Sequence, residues 1–212
     1  MRHKDPYTHI APLYDLVVSP FLQKIRRDIC ELARDLQIRT VVDLGCGTGR
    51  QCALLGEYGF DIYGVDYSGA MLDQAKTKAP GATYFLADIS STHFLPESFD
   101  CAVLSLVLHE HPLKIRQQIL SEALRIVRPE GHLFLLDHGR ITRTGSNIIH
   151  CLLHLPERLA GREHYRNYRS FMNQGGLQEL VAIYSETSMV LEKGYYLDSL
   201  WLCLVKKQAR VN

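Results

Sequence analysis

The 212-residue chain has almost no charge of one sign to spare: 24 basic residues face 23 acidic ones, for a formal net charge of +1. Proteins drawn to nucleic acid or anionic membranes by their overall field carry a large basic excess, so no nucleic-acid partner is expected. The local cluster Lys24, Arg26 and Arg27 reads as a solvated helix face. Long hydrophobic runs are missing too. The apolar stretch Cys101 to Leu108 falls far short of the roughly 20 residues that span a bilayer, so no stable membrane insertion is expected. Met1 to Pro6 contains no apolar core of the signal-peptide kind, and a cytoplasmic location is expected. The six cysteines, at 30, 46, 52, 101, 151 and 203, form no Cys-x-x-Cys pair and mostly sit inside apolar runs. Buried free thiols in a reducing compartment are expected, not structural zinc or a disulfide framework. Repeats, low-complexity segments and linkers are also lacking, so residues 1–212 read as a single domain with 46% hydrophobic residues to build its core.

What is present centres on Val41-Val42-Asp43-Leu44-Gly45-Cys46-Gly47-Thr48-Gly49-Arg50. A short apolar run contains an acid near its end, and then glycine occurs at every second position. This pattern reads as a buried strand breaking into a tight turn whose backbone lies against a ligand. Gln51-Cys52-Ala53-Leu54-Leu55 then resumes at helical spacing, which puts a helix N-terminus with free N–H groups beside the turn. The dinucleotide fingerprint requires a third glycine where this chain has Arg50, so the dinucleotide reading fails there.

Along the chain, residues 7–18 read as an irregular aromatic segment, and Ser19-Pro20 as an N-cap and first position of an amphipathic helix. Strands are expected at 40–44, 61–66, 83–89, 101–106 and 132–137, with helices over roughly 49–58, from Ser68, and over about 113–127. Arg128-Pro129-Glu130-Gly131 reads as a turn. This alternation implies an α/β fold, a parallel sheet covered by helices on both faces. From residue 139 the rhythm changes: 143–184 reads as helices without strands, and two β segments follow, 188–193 and 199–206. The acid closing the second strand, Asp66, lies about 20 residues beyond the glycines, where a carboxylate accepts from vicinal ribose hydroxyls.

Several stretches, in order, carry a resemblance: Val41 to Gly49, Gly64 to Ala75, Ala87-Asp88-Ile89, Phe99 to His109, and Ala123 to Leu133. Together they resemble class I S-adenosylmethionine-dependent methyltransferases, in particular the group with ubiquinone/menaquinone and phospholipid methyltransferases. The resemblance implies a Rossmann-like, doubly wound, seven-stranded sheet whose last strand is antiparallel. It also implies an N-terminal cap over 1–36 and a helical insert over 139–185. S-adenosylmethionine is the implied cofactor. Gly45, Cys46 and Gly47 would underlie its methionine portion, with Asp43 supporting the turn. Asp66 would take the ribose hydroxyls, Tyr67 and Met71 would flank the adenine, and Asp88 with Ile89 would meet the adenine amino group. Ser105 and Leu106 would line the methionine end, and Tyr14, beside Asp15, resembles a residue that caps the cofactor.

In-line methyl transfer from a sulfonium needs alignment and desolvation, and a base only where the acceptor must lose a proton. His109, His138 and, behind them, His111 follow expected strand ends and titrate near neutrality, so His109 and His138 are the catalytic candidates. His109-x-His111 shows no third ligand nearby in sequence, and no metal is expected. Residues 7–18 and 143–172 are rich in aromatic and apolar residues and would roof a pocket for a small, partly apolar acceptor. Two alternatives stay open: a lipid-headgroup enzyme working at a membrane surface through the helix at 143–160, and a module that binds the cofactor without transferring a methyl group.

Overall fold

The computed structural model describes residues 11–140 and 161–209, with the backbone alone over residues 11–21. The order of elements is α1 (Ala11–Asp35), β1 (Thr40–Leu44), α2 (Arg50–Glu57), β2 (Asp61–Asp66), α3 (Gly69–Lys78), β3 (Thr83–Leu86) and β4 (Phe99–Ser105). After a 3-10 turn at Leu108–Glu110 come α4 (Leu113–Ile126), β5 (Val127–His138), α5 (Arg162–Asn173), α6 (Gly176–Ala182), β6 (Thr187–Tyr195) and β7 (Leu200–Lys207). The seven strands form one sheet in the order β3-β2-β1-β4-β5-β7-β6. β1 to β5 pair in parallel, whereas β7 runs antiparallel to both of its neighbours.

Strict side-chain alternation produces the two layers. Val42, Leu44, Ala102, Leu104, Leu133 and Leu135 face one core with Ile119, Ala123 and Phe171, while Val41, Cys101, Val103, Phe134 and Leu136 face the other with Ile25, Ile29 and Leu55. Both faces being covered explains why the strands read as nearly continuous apolar runs. The described cysteines, Cys30, Cys46, Cys52, Cys101 and Cys203, are buried free thiols. No described helix is long and apolar enough to cross a membrane.

Three local expectations change. The first helix begins at Ala11 rather than Ser19. Pro12 and Ser19-Pro20 both lie within it. The third strand stops at Leu86, because Asp88 turns away and accepts from the Ser90 N–H (2.8 Å) and hydroxyl (2.7 Å). The expected turn at 128–131 is absorbed into β5 as a bulge: the pairing jumps from Phe99↔Val127 to Cys101↔His132, and Glu130 has φ 64°. The cap residues 1–10 and the insert residues 141–160, including the proposed membrane-surface helix, lie outside the described residues, as does the Tyr14 side chain.

Strand order reverses between β1 and β4, and both strands end on the same side of the sheet. This is the topological switch point, where open α/β sheets leave a crevice outside the carboxyl ends of their strands.

Candidate cofactor site

The glycine loop is stitched to β2. Gly45 and Cys46 donate their N–H groups to the Val65 carbonyl at 2.8 and 3.0 Å, and Gly47 N–H donates to Asp66 Oδ2 at 2.8 Å. Asp66 Oδ1 accepts from Ser68 N–H at 2.9 Å. One carboxylate thus ties the loop to the start of α3 with charge-assisted bonds from both sides. Gly49 sits at φ 76°, and a Cβ there would lie 2.7 Å from the Cβ of Ala75, so only glycine lets α2 start this close to α3. It takes the helix-packing role that the dinucleotide pattern assigns to position 50, and Arg50 is an exposed residue on the cavity lining.

Above the loop lies a cavity of about 360 Å³. Of the residues read from sequence as cofactor contacts, Asp43, Gly45, Cys46, Gly47, Asp66 and Tyr67 line it, as do Met71, Asp88, Ile89, Ser105 and Leu106. Asp43 lies beneath the loop, fully enclosed; burial pushes its carboxyl up to about 7, opposed by the hydrogen bond from Cys52 and the charge of Arg26. Tyr67 is 53% exposed and lines the cavity.

Further wall residues were not foreseen. Arg26, read from sequence as part of a solvated face, is only 8% exposed and lines the cavity, whereas Lys24 and Arg27 do face solvent. The available signal was its spacing: it follows Leu22 by four residues, on the apolar stripe. Gln51, in the first turn of α2, is 4% exposed, and its Oε1 has no hydrogen-bond partner among the described residues while its Nε2 donates to Cys30 Sγ at 3.5 Å. A buried acceptor left open at a cavity wall fits a ligand carrying N–H or O–H donors, such as the amine and hydroxyls of S-adenosylmethionine. Glu110 also lines the cavity, together with His111, whose titration burial lowers.

His109 and His138 stand apart from these. Both are buried, at 2% exposure each, and neither lines the cavity. They belong to an adjoining cluster: the His109 ring centroid lies 4.9 Å from His138, 5.5 Å from His164 and 6.0 Å from Tyr168. Asp137 anchors it. Its Oδ1 lies 2.7 Å from His109 Nδ1 and accepts the His138 N–H at 2.7 Å, and its Oδ2 accepts the N–H groups of Leu108 and His109 at 3.0 and 3.2 Å. Although burial opposes its charge, the charge and hydrogen bond of His109 hold the Asp137 carboxyl below the usual range, with help from His138. An ionised carboxylate only accepts, so His109 carries its hydrogen on Nδ1 and keeps the Nε2 lone pair when neutral. Arg116, fully buried, ties the cluster to the insert: Nε donates to the Leu108 carbonyl at 3.1 Å and Nη2 to the Asn167 carbonyl at 2.6 Å.

Comparison with known proteins agrees with this architecture. Residues 42–135 match the family model described as a methyltransferase domain. A demethylmenaquinone methyltransferase of Beutenbergia cavernae is 32% identical over 147 residues, covering 63% of this chain and 59% of the relative. An uncharacterized methyltransferase of Synechocystis, sll0829, is 30% identical over 132 residues, covering 62% of this chain and 54% of the relative. The chain therefore spans little more than half the length of these curated relatives. The N-methyltransferase NodS of Bradyrhizobium japonicum, solved with S-adenosyl-L-homocysteine, superposes with a TM-score of 0.63 at 15% identity, over 90% of this chain and 89% of that one. Motif order, a seven-stranded sheet with its last strand reversed, and the domain match over residues 42–135 all agree with a class I S-adenosylmethionine-dependent methyltransferase.

Proposed function

We propose that the chain transfers a methyl group from S-adenosylmethionine to a small, partly apolar acceptor. The observation that carries this reading is the Asp66 carboxylate, bonded to Gly47 and Ser68 N–H groups and opening onto the cavity at the strand switch point. When bound, S-adenosylmethionine supplies a methyl group activated on a sulfonium. The chain's own residues bind, orient and exclude water. In this reading Asp66 accepts from the ribose hydroxyls, Tyr67 and Met71 flank the adenine, and Asp88 and Ile89 meet its amino group. Gly45, Cys46, Gly47, Ser105 and Leu106 surround the methionine portion, with Gln51 Oε1 as an acceptor for its amine. Tyr14 is proposed to cap the donor from α1.

His109 and His138 are proposed as the histidines of the acceptor side, where Asp137 fixes one tautomer of His109 and leaves the Nε2 lone pair for chemistry. Tyr168 and Phe171 lie 6.0 and 6.5 Å from the His109 ring, and aromatic surroundings favour an apolar acceptor. The relative named a demethylmenaquinone methyltransferase supports the same class.

The test is calorimetric titration with S-adenosylhomocysteine, with NADH as the control. Micromolar binding of the former alone, lost in Asp66→Ala, is the expected result. Binding of NADH, or no binding by the wild-type protein, would overturn the donor assignment.

A further inference from the structure

We infer that His109, Glu110 and His164 form a binding site for a divalent transition-metal cation at the wall of the donor cavity. The ligand atoms of these three residues all lie within 4.8 Å of one another. Nitrogen and oxygen ligands bound at about 2.1 Å sit roughly 3 Å apart, so binding would draw the half-buried Glu110 and His164 side chains closer by small rotations.

A second grouping, His109, Asp137 and His138, meets the same distance condition, but its carboxylate is already committed. Asp137 takes the His109 ring N–H and three backbone N–H groups, and coordinating an ion would strip donors from that buried carboxylate. Its position suits another role. A carboxylate that accepts the Nδ1–H of a histidine orients the ring and raises the basicity of Nε2, the arrangement found behind metal-bound histidines. The outer partner of the ligand is therefore already built.

The fold holds the three ligands together from two separate segments. His109 and Glu110 are neighbours on the 3-10 turn, and α5 brings His164 to them. Asn167 Nδ2 donates to the Glu110 carbonyl at 2.7 Å, and Arg116 bridges the carbonyls of Leu108 and Asn167. Two imidazoles with one carboxylate suit zinc, cobalt(II), iron(II) or nickel(II), not magnesium or calcium, which need oxygen-rich sites. Because Glu110 also lines the donor cavity, an oxygen on the acceptor could occupy an open position on the ion. That consequence rests on the methyltransferase reading, whereas the ion site itself does not.

The test uses tag-free, chelator-treated full chain titrated with Co²⁺, read by visible absorption, and with Zn²⁺, read by calorimetry. Expected is one ion per chain at micromolar affinity or tighter, weakened at least about tenfold in His164→Ala and in Glu110→Gln. The exposed His93 serves as the control, and His93→Ala should bind as the wild type does. Thermal melts without metal verify that the variants fold, and Zn²⁺ should raise the melting temperature of the wild type and His93→Ala more than that of His164→Ala or Glu110→Gln. No stoichiometric binding, or equal binding by folded His164→Ala and Glu110→Gln variants, would overturn the site. S-adenosylhomocysteine titration of the metal-free protein tests the donor reading separately, so either can fail without the other.

Discussion

Replacing Arg116 by methionine tests how the insert is joined to the sheet. The guanidinium is fully buried, donates to the carbonyls of Leu108 and Asn167 and to Gln174 Oε1, and lies 4.9 Å above the Phe171 ring. Methionine keeps most of the apolar volume, so the loss is in polar contacts. Two carbonyls lose a charged donor, at about 1.5–3 kcal/mol each. Against this, burial disfavours the arginine's charge and holds its titration below the usual value, and removing the charge recovers part of the cost. A net destabilisation of about 3 kcal/mol follows, equivalent to roughly 6–12 °C in melting temperature for a chain of this size. Scanning calorimetry of the wild type and Arg116→Met reads it directly. Arg116 does not line the donor cavity, so S-adenosylhomocysteine affinity should change less than the melting temperature implies. A melting temperature within about 2 °C of the wild type would refute the claim that this arginine joins α5 to the 3-10 turn.

Two further outcomes are expected. Gly49→Ala places a methyl group 2.7 Å from the Cβ of Ala75 at a φ of 76°, so it should cost about 2–4 kcal/mol in urea denaturation, with donor binding reduced in parallel; a loss under about 0.5 kcal/mol would contradict the close packing of α2 on α3. Asp43 concerns pH. Its folded value of about 7 exceeds the value near 4 of an unfolded chain, so the fold binds the proton more tightly and the unliganded protein loses stability as pH rises from about 4 to about 7. Asp43→Asn has no such group. The difference in unfolding free energy between the two proteins should therefore change by on the order of a few kcal/mol across that window and stay level above it, whereas parallel profiles would show that burial does not perturb Asp43.

Much of the frame was legible because it is set by neighbours in sequence. The strands at Thr40–Leu44 and Asp61–Asp66 follow from short apolar runs bounded by turn residues, and the helix start at Ser68 follows from its side chain, which accepts the Met71 N–H at 3.2 Å. The glycine spacing marked the loop, and the distance to Asp66 marked its partner carboxylate, since a strand–helix–strand unit has a nearly fixed length.

What the sequence concealed depends on contacts between distant segments. Arg26 looked like one of three surface charges until α1 packed and placed it on the cavity side. The bulge in β5 exists because the chain reaches Val127 opposite Phe99 several residues before the main register begins at His132. The histidine cluster shows the limit most sharply. His109, Asp137 and His164 come from three elements, and no spacing rule links them. Side-chain periodicity and turn chemistry act over a few residues, so the sequence by itself determined the elements and the donor loop. Which side chains meet across the sheet ends was decided only by tertiary packing, because burial and hydrogen-bond satisfaction are properties of the assembled fold.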